Sequence, residues 1–388
     1  MRGARILANL GTPSRVLDSI MPNKTDPDRR GRVGLGPVIA CLPGLALSVM
    51  VAIACTWAAV SGGRALFATE SSPISPVLAA IVIGALLGNC VRWPAIVSPG
   101  LQCANTLVLR IGISLIGLRL ALISLGTISI RAAPVVVGCL LVAGVAIPKI
   151  CRWFGVNRVS SILLTVGTAI CGCTAVLAIA PILRASAAQT GYAVATVMLL
   201  GVCGVIAYPF LAHWLFAQQP LAAGIFLGTA IHDTSQVVGA GLIYSQQFHS
   251  PQALAAATVA KLLRNLSLAV VVPALAWREA REHQTQRSAA GLATYVPWFV
   301  TGFILCVIAR TIGDTMVTGN GVEQQHWDGF LSLASHAADW CLTIGMAATG
   351  MTLSRAGLSS LGLRPLLAGL CAAILVGGCS LLLLLAIY

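Results

Sequence analysis

From Pro365 to Tyr388 the chain runs 24 residues without a single charge. A run of that length and apolarity is solvated by lipid, and in lipid every backbone N–H and C=O has to be paired inside the protein. Nothing constrains the fold more, because only helices or closed barrels meet that demand. Similar runs recur through the chain. With about 20 residues needed per crossing, eleven candidate spans fall at roughly 36–60, 74–92, 104–125, 132–153, 159–183, 190–216, 219–245, 252–276, 295–312, 330–353 and 364–388. Only 9% of the 388 residues are charged, which excludes a soluble domain of this size. The expectation is an all-α polytopic membrane protein with about eleven transmembrane helices.

Lysine and arginine set the orientation. With the N-terminus cytoplasmic, inside segments hold 16 of the 24 basic residues: seven in 1–35, then Arg92, Lys149, Arg152, Arg158, Arg278, Arg281, Arg287, Arg355 and Arg364. Outside loops hold Arg64, Arg131, Arg184 and Arg310. This positive-inside bias gives N-in, C-out in a bacterial inner membrane. It also accounts for most of the +13 net charge without nucleic acid. Residues 1–34 are basic, polar and rich in Pro and Gly, and read as a flexible cytoplasmic tail rather than a signal peptide. Most of the 13 cysteines sit within apolar spans, where Cys acts as a small hydrophobe, so no disulfide framework is expected.

Two apolar runs carry polar centres: GTAICGCTAV at 167–176 and GTAIHDTSQV at 228–237. In addition LTVGTAICGCT at 164–174 aligns with LTIGMAATGMT at 342–352, six of eleven positions matching. These are spans five and ten, and LVLRI at 107–111 pairs with KLLRN at 261–265 at the same offset of five spans. Units of five spans run in opposite directions, the inverted repeat common in secondary transporters. The domains then read as a tail 1–34, a first helix and outer loop 35–73, and five-helix repeats at 74–217 and 218–388. Discontinuous central helices are expected at Gly167 and Gly172 and at Gly345 and Gly350. Thr168, Thr174 and Thr352 would supply hydroxyls there. The plainer alternative is that these small residues only let helices pack closely.

Charges inside the membrane are rare and usually functional. Arg110, Arg119, Lys261 and Arg264 outnumber Asp233 and Asp339, a surplus suited to an anion. Lys261 and Arg264, three apart, share a helix face and make the leading anion contact. Arg110 and Arg119 can alternatively snorkel, and either aspartate can neutralise an arginine. His232 and Asp233 form a candidate relay for a coupling proton, since low dielectric disfavours the charged form of each; a structural pair is the alternative. Na⁺ is open as the coupling ion, because unwound carbonyls and hydroxyls can bind it. Cys171 and Cys173 lack zinc-type spacing or a catalytic partner set by sequence, and no P-loop occurs. No cofactor, metal or enzymatic activity is expected.

The runs LRIGISLIGLRL at 109–120, GTAICGCTAVLAIAP at 167–181, GTAIHDTSQVVGAG at 228–241 and AKLLRNLSLAVVVP at 260–273 resemble the sulfate exporter family of bacterial inner-membrane proteins. The resemblance spans most of 74–388. It implies an ATP-independent carrier for sulfate or a related sulfur oxyanion, with an inverted repeat similar to sodium-bile acid symporter-like carriers. Its motif positions here are Gly167, Gly172, His232, Asp233, Ser235, Gln236, Lys261, Arg264 and Asn265. Cys173 departs from the smaller residue expected there, which would narrow a cavity. The reading is a secondary transporter of a small anion working by alternating access, with a homo-oligomer left open. An anion channel is the alternative, and an intramembrane enzyme or sensor a more distant one.

Overall fold

The computed structural model describes residues 36–67, 75–91, 93–283, 298–317, 322–352 and 363–387. The basic tail and the segments holding Arg92, Arg287 and Arg355 lie outside them. Every regular element among the described residues is a helix. In chain order they form α1 (Gly36–Phe67), α2 (Pro76–Cys90), α3 (Ala95–Arg119), α4 (Leu122–Trp153), α5 (Arg158–Cys171) and α6 (Cys173–Ile179). Then follow α7 (Ala187–Phe216), α8 (Pro220–Ala230), α9 (Thr234–Gln247), α10 (Pro251–Leu266), α11 (Leu268–His283), α12 (Trp298–Met316), α13 (Val322–Thr352) and α14 (Leu363–Ile387).

Local chemistry marks the starts. Pro76, Pro220 and Pro251 open α2, α8 and α10, where their missing N–H is not needed. Asn157 caps α5 by accepting from the Ser160 N–H at 2.8 Å, and Ser186 with Gln189 forms a capping box on α7. Seven segments are long and apolar enough to cross a bilayer: α1, α3, α4, α7, α10–α11, α12 and α14. The chain is therefore polytopic.

Two of the eleven expected spans are not spans. The range 219–245 folds as a helical hairpin. Helix α8 runs parallel to α10, with Gly224 against Ala253 and Ala256, and Gly228 against Ala257 and Ala260. Helix α9 runs antiparallel to the same α10, with Thr234 bonded to Asn265 and Gly241 against Leu254 and Ala257. The two arms therefore run in opposite directions. Pro220 at the start and Phe248 just past the end line one cavity together. The eleven residues of α8 reach about 16 Å, half the hydrocarbon thickness.

The range 159–183 makes the same turn. Gly167 on α5 faces Val176 on α6, so the arms lie side by side about a tip at Gly172. Asn157, just before the hairpin, accepts from Gln189 Nε2 at 3.3 Å at the start of α7. The chain thus returns to the side it entered from. The second hairpin has its base at the far end of α7, where His213 stacks on Phe248 with ring centroids 3.7 Å apart. Helix α7 spans 30 residues, about 45 Å, so the hairpins dip in from opposite ends of it.

The expected break at Gly345 and Gly350 is also absent: α13 is continuous from Val322 to Thr352. Its glycines serve packing. A Cβ on Gly345 would strike Leu109 on α3, and one on Gly350 would strike the backbone of α2 at Ile81 and Ala85. The sequence match between 164–174 and 342–352 thus joins a hairpin tip to an unbroken helix.

The helices gather in two groups. Helices α1, α2, α3, α12 and α13 pack on one another and form a wall, whereas α4, α7, α10 and α14 surround the two hairpins. The groups meet largely along α9, where Gly239 makes room for Met346 of α13 and Ser75 donates to Gln246 Oε1 at 2.6 Å.

Candidate functional site

Helical hairpins leave unpaired backbone groups at their tips, deep in the protein, and those groups need partners. Sequence supplies the turn residues. At the first tip Gly172 adopts φ +66°, ψ −129°, a conformation that excludes most side chains. Before it, Gly167–Cys171 form a single π turn. At the second tip Ile231, His232 and Asp233 leave the helix, and Asp233 caps α9 by accepting from Ser235 N–H at 3.0 Å and from the Ser235 hydroxyl. The tips touch: a Cβ on Gly172 would lie 2.8 Å from Asp233 Oδ1.

Lys261 and Arg264, on α10, hold both tips together. Lys261 is fully buried, and its ammonium donates to Ile170 O at 2.9 Å, to Ile231 O at 3.2 Å and to His232 O. Arg264 is 1% exposed and donates to Thr168 O and Thr229 O, with Ile231 O at 3.5 Å. The pattern is symmetric. Aligning GTAI at 167–170 with GTAI at 228–231 equates Thr168 with Thr229 and Ile170 with Ile231, and these are the carbonyls bound. Each cation therefore bridges equivalent atoms of the two hairpins, at the negative ends of α5 and α8.

All three ammonium protons of Lys261 are thus spent on carbonyls. Arg264 keeps one unpartnered atom, its buried Nε. Asn265 donates to Thr234 Oγ1 at 3.0 Å while its Oδ1 has no partner among the described residues. Gln236 donates to Met198 O at 3.1 Å and its Oε1 is likewise unpartnered, lying over Gly201, which has no side chain to oppose it. His232 is buried and its Nδ1 has no partner among the described residues, while the Asp233 carboxylate bonds to Ser235 and not to the His232 ring. Thr174 sits half-buried in the first turn of α6.

Arg110 differs from the other two cations. It lies on the wall helix α3, half-buried, its guanidinium 5.7 Å from the centre of the Phe299 ring. It is close enough to the Asp233 carboxylate for the two charges to interact. Among the described residues its guanidinium makes no hydrogen bond, so its five donors remain available. Arg119, by contrast, is paired with Asp339 at 2.7 Å and bonded to Ser335 O at 2.9 Å. Removing that pair leaves Arg110, Lys261 and Arg264 against Asp233 alone. Gly345 and Gly350 lie within the wall and do not form part of either tip.

Sequence reasoning passed over the carbonyls of Ile170, Thr229 and Ile231, and the hydroxyls of Thr234 and Ser380. Thr229 Oγ1 lies 2.5 Å from Ser380 Oγ, tying the second hairpin to α14. The usable signal was the repeated GTAI itself, 61 residues apart.

The family model described as Conserved hypothetical protein 698 matches residues 43–369. The UPF0324 membrane protein PA5383 of Pseudomonas aeruginosa is 31% identical over 358 residues, covering 88% of this chain and 93% of its own. The UPF0324 inner membrane protein YeiH of Escherichia coli K12 is 31% identical over 359 residues, covering 87% and 92%. The UPF0324 membrane protein GSU2818 of Geobacter sulfurreducens is 31% identical over 308 residues, covering 78% and 88%. No solved structure matches. These descriptions name no substrate, and sulfate stays an expectation of the resemblance. The chain belongs to the Conserved hypothetical protein 698 family, as a multi-pass protein of the bacterial inner membrane.

Proposed function

We propose that this protein is a secondary carrier for a small anion, sulfate or a related sulfur oxyanion, and not an enzyme. The observation that carries the reading is the meeting of two hairpin tips from opposite ends of α7, held by shared cations beside an arginine with free donors. Irregular backbone at membrane depth is tolerated where it is buried in protein or lines a water-filled cavity, and carriers place their sites there. Arg110 is the anion contact: its planar fork suits two oxygens of an oxyanion, whereas Lys261 and Arg264 position the tips.

Counting α2 and α13 with the seven long apolar segments gives nine crossings, and with two hairpins these preserve the N-in, C-out orientation, because removing two of eleven spans leaves an odd number. The hairpin reading also moves Arg184 from the outer to the inner side, so 17 basic residues face inward and three outward. The repeat takes a different form from two five-helix units: its related parts are the GTAI hairpins, entering from opposite sides. Arg110 belongs to the wall and Asp233 to the hairpin group, so relative movement of the two groups opens the anion site alternately. Asp233, partly accessible beside Arg110, competes with the anion for that guanidinium, which makes it the candidate proton-coupling group rather than buried His232.

The test is uptake of labelled sulfate into proteoliposomes, with and without a pH gradient, comparing wild type with Arg110→Gln. Saturable uptake that is accelerated by unlabelled sulfate on the opposite side, with an apparent affinity about tenfold or more weaker in the variant, is expected. Uptake without that acceleration would indicate a channel. A folded sample that moves no sulfate but another small anion overturns the substrate, and one that moves none overturns the carrier.

A further inference from the structure

We infer that the Lys261 ammonium is a built-in substitute for a coupling cation, occupying a carbonyl cage that would otherwise bind Na⁺. The inference rests on reading the tips as the carrier's centre. Three oxygens face the ammonium, Ile170 O at 2.9 Å, Ile231 O at 3.2 Å and His232 O, one from the first hairpin and two from the second. All three are neutral. The one carboxylate at the tips, Asp233, is directed instead at the Ser235 N–H and hydroxyl. A fully buried charge is therefore balanced by backbone dipoles at the ends of α5 and α8 rather than by an anion.

Uncharged backbone oxygens converging in a dry interior are the chemistry that carriers and channels use for monovalent cations. A monovalent ion in place of the ammonium keeps the local charge unchanged, next to the buried positive charge of Arg264. A divalent ion would add a charge, so the class is Na⁺-like. Because the lysine is covalently attached, it never leaves, and the tips stay joined whatever the Na⁺ concentration. Transport by the wild type is accordingly independent of Na⁺, and the coupling ion is left to be a proton.

The experiment measures binding, not flux, so it stands apart from the anion reading. Melting of the full-length protein in detergent is followed across a series of NaCl, with choline chloride at matched ionic strength as control. Lys261→Ala vacates the cage, and Lys261→Ser vacates it while adding one oxygen. The wild type should show no difference between the salts. Each variant should show a saturable rise in melting temperature with Na⁺ that choline does not give, or be recovered folded only from Na⁺. Stabilisation of the wild type by Na⁺ over choline overturns the inference. So does the absence of any Na⁺ response, in melting or recovery, from both variants. If Na⁺ responds as expected while no anion moves in proteoliposomes, the cage stands and the carrier reading falls.

Discussion

The two hairpins enter their turns through the same four residues, GTAI at 167–170 and 228–231, and turn in different ways. The first turns on Gly172, with a positive φ and no side chain. The second turns through His232 and Asp233, and its carboxylate caps the outgoing helix. Up to the turn they are equivalent, presenting the same carbonyls to Lys261 and Arg264. After it, only the second offers an imidazole and a carboxylate, at His232 and Asp233. The comparison teaches a division between the two parts: the symmetric part holds the tips together, and the asymmetric part places an imidazole and a carboxylate at one tip only. Gly172 is small because Asp233 occupies the space beside it.

The largest effect should come from breaking the symmetric part. Arg264→Leu leaves the Thr168 and Thr229 carbonyls buried without their charged donor, a loss on the order of 3 kcal/mol or more. The melting temperature should fall sharply, and a small fall would show that the cations do not hold the tips. Gly172→Ala comes next. It forces a side chain into a positive-φ, negative-ψ backbone that glycine alone adopts readily, costing about 1–3 kcal/mol, and presses a methyl group on Asp233. Both melting and flux should suffer, whereas the aligned change Asp233→Ala should spare more stability than flux.

Arg110→Gln sharpens the asymmetric part. Loss of one fork to an oxyanion should weaken apparent sulfate affinity about tenfold or more, equivalent to about 1.4 kcal/mol. Melting should barely move, since Arg110 makes no hydrogen bond within the described residues. The smallest effect belongs to the Arg119–Asp339 pair, whose side chains are 19% and 32% exposed; Arg119→Gln should cost about 1 kcal/mol or less. If it instead abolishes flux with melting intact, the anion path runs through the wall at Arg119 rather than past Arg110.

Much of this molecule was legible before folding. Apolar runs between basic loops gave the helices, and the intramembrane charges pointed to Lys261, Arg264, Arg110 and Asp233. Periodicity could not distinguish a broken span from a hairpin. Both are about 25 apolar residues with a glycine or polar break, and both bury the same surface. The match of 164–174 with 342–352 misled for a related reason. Leu, Ala, Gly and Thr suit a tight tip and a tight helix crossing equally well, and Gly345 proved to be the latter, against Leu109.

Composition and charge distribution by themselves determined that this chain is helical and membrane-embedded, because lipid admits few alternatives for an unpaired backbone. Which cations brace the hairpin tips, and which is left without a hydrogen bond among the described residues, was decided by tertiary structure alone. That distinction depends on whether carbonyls from two distant segments, 91 residues from Lys261 in one case and 30 in the other, arrive to accept the protons. A sequence shows the donors, and only the fold shows what takes them.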